Sequence, residues 1–215
     1  MNHPLPSTTS PASPSVSASP RRRRLSAGLA ALAVAGIALS GCAPAVSPAD
    51  VDSVASARDL LAAHDLVGLD VGEVIERLDA MPVADRPDDL LASVEPDALL
   101  LRDTTGRESR LPMPDDAVYI SVAPFREQTH ECHFHSLTTC LGELRNAPVH
   151  VKVTGADGQV LVDADKTTYD NGFVAVWLPR DISATLTITR DGKTATQPIS
   201  TGPQDATCIT TAQLA

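Results

Sequence analysis

From Ala98 onward, turn residues cut the chain into short strand-like segments, and this rhythm limits the fold more than any other feature. Ala98–Arg102, Val118–Val122, Val149–Val153, Gln159–Val162, Gly172–Leu178, Ala184–Thr189 and Thr194–Ser200 are rich in Val, Ile, Leu and Thr. Several alternate apolar and polar residues, as half-buried strands do. Thr105-Gly106, Asp157-Gly158, Asn171-Gly172 and Asp191-Gly192 lie between them. Asp-Gly and Asn-Gly reach positive φ at little cost, so they favour tight hairpins. The spacing predicts an antiparallel β-sandwich-like domain over 97–215, long enough to bury one core.

Before Glu95-Pro96 the apolar period is that of a helix. Ser47 and Pro48 suit a helix start, and Val51, Val54, Ala57, Leu60 and Leu61 then fall near one face. Asp70 followed by Glu73 has the form of a capping box, and Val71, Val74, Ile75 and Leu78 supply the apolar stripe behind it. Met81-Pro82 ends that helix, and a third short helix is expected over Pro87–Val94. The chain therefore reads as α+β: a short N-terminal helical region, 51–96, followed by the sandwich. So little helical surface cannot make a core alone. The helices are expected to pack lightly on the sandwich or on another copy of themselves.

The N-terminal extension is different again. Residues 1–20 are mostly Ser, Thr and Pro and cannot bury enough surface to fold. Arg21–Arg24 form a basic stretch, and Leu25–Leu39 is apolar or small except for Ser26. That pattern is a signal sequence, too short for a stable membrane span. It ends in Leu39-Ser40-Gly41-Cys42, which resembles a bacterial lipobox. The expected layout is a removed segment 1–41, lipidation at Cys42, a tether over 42–50, and a membrane anchor on the outer face of the cytoplasmic membrane or the periplasmic side.

Four of the 17 basic residues lie at Arg21–Arg24 and all 27 acidic ones lie after residue 41, so the mature chain has 13 against 27, a charge of −14. Nucleic acid is excluded as a partner, because phosphate binding needs clustered Lys and Arg. No Gly-x-Ser-x-Gly elbow surrounds Ser136, which argues against a serine hydrolase.

Between the second and third of these strands lies Thr129-His130-Glu131-Cys132-His133-Phe134-His135-Ser136-Leu137-Thr138-Thr139-Cys140. Two thiols and three imidazoles share one long connection, and such loops often carry function. Cys208 follows near Thr207 and Ile209. With Cys42 lipidated, three thiols remain, an odd number for an exported protein. Seven residues separate Cys132 from Cys140, wider than the two to four of a zinc knuckle. Three thiolates, or two and an imidazole, suit Cu(I) better than structural zinc. A plain Cys132–Cys140 disulfide stapling the loop remains open, because exported thiols tend to pair. His135 is a candidate ligand or a residue behind one, with His133 and His130 as outer candidates. His150 reads as a strand histidine, Glu131 and Glu143 as solvated loop acids, and Phe173 and Trp177 as core.

The run Cys132–Leu144, together with Thr201-Gly202-Pro203-Gln204-Asp205-Ala206-Thr207-Cys208-Ile209-Thr210-Thr211, resembles the CueP family of exported copper-binding proteins. The resemblance implies a helical part that mediates a homodimer and a β-rich part carrying copper on Cys132, Cys140 and Cys208. Better-known members look freely soluble, so the lipobox is a departure. The function expected is a lipid-anchored extracytoplasmic protein that sequesters Cu(I) and transfers it to an exported acceptor. The alternatives are a thiol-based Cu(II) reductase and a disulfide-stapled β-sandwich binding module.

Overall fold

The computed structural model describes residues 56–215. The expected signal sequence, the lipidation site Cys42 and the tether fall outside the described residues. Residues 56–62 are helical, and the expected capping box opens α1 (Val71–Asp79). The Asp70 carboxylate accepts from the Glu73 amide at 2.9 Å, and Glu73 accepts from the Asp70 amide at 2.9 Å. Two orphan donors of the first turn are thereby satisfied. Val74, Ile75 and Leu78 are buried along one face.

Eleven strands follow: β1 (Leu90–Val94), β2 (Ala98–Asp103), β3 (Glu108–Pro112), β4 (Ala117–Val122), β5 (His135–Ser136), β6 (Pro148–Gly155), β7 (Val160–Thr167), β8 (Val174–Pro179), β9 (Ser183–Arg190), β10 (Lys193–Ser200) and β11 (Cys208–Ile209). They form three sheets, ordered β3-β2-β1-β5, β10-β9-β6-β7 and β11-β4-β8. The pairing is antiparallel except for β11, which runs parallel to β4 with Cys208 beside Ser121.

The β4–β8 pair is buried on both faces, and its side chains sort by the two-residue period. Val118, Ile120, Val122, Val174, Val176 and Leu178 join one cluster with Val149, Val151, Val153, Leu186 and Ile188 of the β6–β9 sheet. Tyr119, Ala175 and Trp177 join a second cluster with Leu60, Val74, Ile75, Leu78, Val94, Leu99 and Leu101. The sandwich is therefore present, and its second face is covered by α1 and the β1–β2–β3 sheet.

That covering corrects two expectations. Residues 87–94 do not form a third helix; Leu90–Val94 is a strand, because Leu90, Ala92 and Val94 alternate inward in register with β2. The helical part is not lightly packed either, since α1 lies in the same core as β4 and β8. The β1–β2 ladder, pairing Val94 with Leu99, also crosses the boundary expected at residue 96.

Three of the four turns make the expected hairpins: β2–β3 at Gly106 (φ 88°), β6–β7 at Gly158 (φ 85°) and β9–β10 at Gly192 (φ 76°). The fourth, at Asn171-Gly172, does not. It carries the chain from β7 in one sheet to β8 in another. Gly172 has φ 83°, and a Cβ there would meet the Gly142 carbonyl oxygen at 2.5 Å. Gly142 donates to the Asn171 carbonyl at 2.6 Å. Two backbones thus touch where a side chain has no room, just after Cys140. Gly172→Ala combines a backbone clash with an unfavourable φ. It is expected to cost about 2–4 kcal/mol, at the severe end for one substitution. A lowered denaturant midpoint would show this, whereas Gly158→Ala, with open space around its Cβ position, should cost about 1 kcal/mol.

Candidate metal centre

The Cys–His loop is ordered by very short pairings. Val94 of β1 pairs with His135, and Ser121 of β4 pairs with Cys208. Thr207 joins these edges. Its hydroxyl donates to the Val94 carbonyl at 2.6 Å and accepts from the His135 amide at 3.0 Å. The Thr207 and Cys208 amides both donate to the His133 carbonyl, at 3.0 and 3.1 Å. Cys140 is held by a turn in which its amide donates to the Ser136 carbonyl at 3.1 Å. Arg86 fixes the same residue from outside, donating from Nη1 to the Cys140 carbonyl at 2.9 Å.

The three described thiols are all free, and Cys140 stands close to each of the other two. Cys132 Sγ and Cys140 Sγ are 3.6 Å apart, and Cys208 Sγ is 3.8 Å from His135 Nδ1. The ligand atoms of His135, Cys140 and Cys208 all lie within 4.8 Å of one another, and so do those of His130, Cys132 and Cys140. Cys140 belongs to both groups. His135 and Cys208 are buried, at 0% and 2% exposure, while Cys132 and Cys140 are half-buried. His130 is exposed. Phe173, also fully buried, packs its ring 4.4 Å from that of His135 and 6.3 Å from that of His130. His133 belongs to neither group; its Nε2 lies 3.2 Å from the Gln204 carbonyl oxygen.

The residue that the sequence reading missed is Asp79. This carboxylate is 0% exposed at the end of α1. Its Oδ1 lies 2.9 Å from His135 Nε2 and accepts from Asn171 Nδ2 at 2.7 Å, while Oδ2 accepts from Tyr119 Oη at 2.9 Å. A carboxylate on one imidazole nitrogen places the proton there and turns the other nitrogen toward a metal. That other nitrogen, Nδ1, faces Cys208. A signal was present in the sequence. Asp79 stands four residues after Ile75, on the apolar side of the helix, where an acid is out of place. It also sits at the helix C-terminus, where the dipole disfavours negative charge.

The charges follow from this arrangement. Burial pulls the His135 pKa down, but Asp79, by charge and hydrogen bond, raises it to about 9, with help from Cys140. Burial pushes Asp79 up, yet the His135 cation and the hydrogen bonds from His135, Tyr119 and Asn171 hold it below the usual carboxylate range. Among the thiols, Cys140 is the one whose thiolate form is favoured. Hydrogen bonds from Cys132 and Cys208 lower its pKa against burial, and His135 adds to the effect. Cys132 is pushed up to about 11, chiefly by its bond to Cys140. Cys208 is raised by its bonds to Cys132 and Cys140 and by burial. Copper-free, His135 is thus held protonated beside Cys140; the same side chains become soft and borderline donors once an incoming ion displaces their protons.

Two further histidines and one loop acid lie outside these groups. His150 lies on an exposed strand surface between Asp165 and Asp163, at 2.8 and 2.9 Å. His64 stands 3.7 Å from Asp89. Glu143 does more than face solvent: its Oε2 accepts the amides of Arg126, Glu127 and Gln128 at 3.1, 2.9 and 2.8 Å.

Comparison with known proteins agrees with the geometry. The family model for the periplasmic copper-binding protein CueP matches residues 73–213. A crystal structure of S.CueP matches with a TM-score of 0.70 and 38% sequence identity, covering 74% of this chain and 98% of that one. No curated protein matches. The family model takes in most of the chain, including Asp79 and all three described cysteines, and the chain belongs to the CueP family.

Proposed function

We propose that this protein binds Cu(I) in the periplasm through Cys132, Cys140 and Cys208, with His135 as an additional ligand. It holds the ion against the outer face of the membrane through lipid on Cys42 and passes it to an exported acceptor. The observation that carries this reading is the free thiols of Cys140 and Cys208 grouped with a fully buried histidine, with the third free thiol, Cys132, 3.6 Å from Cys140. Thiolate and imidazole are ligands for Cu(I), and a low-coordinate soft ion suits three or four such donors. Thiolate sites pass ions by sharing ligands during exchange, so a half-buried Cys132–Cys140 edge suits transfer better than a sealed cage.

Competition against a chromophoric Cu(I) chelator tests the reading, with free thiols counted before and after loading. One ion per chain, with all three thiols protected by copper, is the expected result. Supplying Cu(II) instead separates the alternatives. Loss of two thiols with a matching burst of Cu(I) would replace binding by reduction, in which the Cys132 thiol and the Cys140 thiolate form a disulfide, release the Cys132 proton and give one electron to each of two Cu(II) ions. A single thiol indifferent to copper would indicate a stapled module.

His135→Ala is expected to weaken Cu(I) binding by more than the ~10–100-fold typical of a residue behind the ligand shell. His133→Ala, whose ring is turned toward Gln204, should change it less than about threefold, within the scatter of such contacts. The same competition assay reads both. For the anchor, Cys42→Ser is expected to move the protein from the membrane to the soluble envelope fraction, since one sulfur carries the attachment.

A further inference from the structure

We propose that His130, Cys132 and Cys140 form an outer copper position, through which the ion enters the buried group of His135, Cys140 and Cys208. This rests on the Cu(I)-binding reading and adds the path by which the ion arrives. Three observations carry it.

Two groups of ligand atoms exist, each within 4.8 Å, and they share one sulfur, that of Cys140. His135 and Cys208 offer almost no surface of their own. The inner group's one half-exposed member is Cys140, so an ion that reaches the inner nitrogen passes that sulfur first. The outer group opens on a cleft of about 320 Å³ lined by Thr129, His130, Glu131, Cys132, Thr210 and Thr211.

His130 is exposed but not loosely placed. Thr129 donates from its hydroxyl to the Thr210 carbonyl at 2.6 Å. The Glu143 carboxylate gathers the amides of residues 126–128 just before it. The chain leading into His130 is thus tied down, and the imidazole lies edge-to-face with the Phe173 ring, centroids 6.3 Å apart. A borderline nitrogen beside two soft sulfurs accepts Cu(I). Moving inward, the ion keeps Cys132 and Cys140, releases His130, and gains Cys208 and His135 Nδ1. No electron is transferred; the two sulfurs stay bound while the other ligands exchange.

The test uses two backgrounds and Cu(I) delivered from a chromophoric chelator. In the otherwise wild-type protein, His130→Ala should slow loading about tenfold. In a Cys208→Ser background, where the inner position is crippled, the same change should lower the residual affinity about tenfold, the lower end of the effect of removing a metal-site partner. His133→Ala is the control for an exposed histidine on the same loop and should alter neither. The outer position is overturned if His130→Ala loads at the wild-type rate, if it lowers affinity equally in both backgrounds, or if His133→Ala behaves the same way. The rate arm stands even if Cys208→Ser folds poorly. A wild-type protein that takes up no Cu(I) would overturn the binding reading instead.

Discussion

Cys140→Ser is expected to lower Cu(I) affinity by about three orders of magnitude, or ~4 kcal/mol at 1.4 kcal/mol per decade. The loss should exceed that of Cys132→Ser or Cys208→Ser. A serine hydroxyl is hard and stays protonated, so the substitution removes a soft donor outright. Cys140 differs from the other two because it lies in both groups of ligand atoms and its neighbours favour its thiolate form. Its loss leaves the outer group with His130 and Cys132 and the inner one with His135 and Cys208. The measurement is chelator competition on the three single variants. Equal losses at all three cysteines would mean one three-thiolate centre without a shared corner. An unchanged affinity in Cys208→Ser would remove the buried group altogether.

The second large effect concerns stability. Asp79→Ala is expected to lower the unfolding free energy by about 3–5 kcal/mol, the range for breaking a buried ion pair from one side. The substitution strands His135, Tyr119 and Asn171 in a dry interior. Asp79→Asn should cost less, because its amide can still bond to its neighbours. The pH dependence identifies the pair. The His135 pKa rises from 6.5 to about 9 on folding, so its contribution is complete below pH 6.5 and is lost as pH climbs through 9. The Asp79 pKa is lowered, so its contribution is present above the ordinary carboxylate range and is lost in acid as pH falls through its folded value. The copper-free protein should therefore be most stable between roughly pH 4 and 6.5, and lose up to about 3 kcal/mol by pH 9 or above. Urea unfolding at pH 6 and pH 9.5 reads this directly. A slope that survives in Asp79→Asn would assign it to other groups.

The strands of the sandwich were legible because their burial alternates with their sequence. Val149, Val151 and Val153 face one core, and the polar residues between them do not. The capping box at Asp70 was legible because a cap is a local device that needs only four neighbouring residues. What escaped was non-local. β1 carries Leu-Leu-Ala-Ser-Val, a composition that serves a helix or a strand, and its pairing with β2 decides the matter. β5 and β11 have two residues each, too few for any period to register. Cysteine and histidine spacing named the side chains that gather here, but not how Cys140 belongs to both groups. Asp79 lay on a helix read as mere covering, 56 residues from the histidine it supports.

The clip at Thr207 has a consequence for how the molecule breathes. Its hydroxyl binds β1 and the residue opening β5, while the next residue, Cys208, opens β11 and pairs with β4. The donors near it come from stretches 73 residues apart. An ion bridging Cys140 and Cys208 therefore closes a loop of covalent chain tens of residues long, as a removable crosslink does, and penalises the unfolded ensemble rather than one hairpin. Occupancy should slow amide exchange across all three sheets together, by up to the full linkage free energy, about 4 kcal/mol at a thousandfold excess over Kd. A twelve-residue peptide spanning 129–140 would have the local sulfurs and none of this coupling.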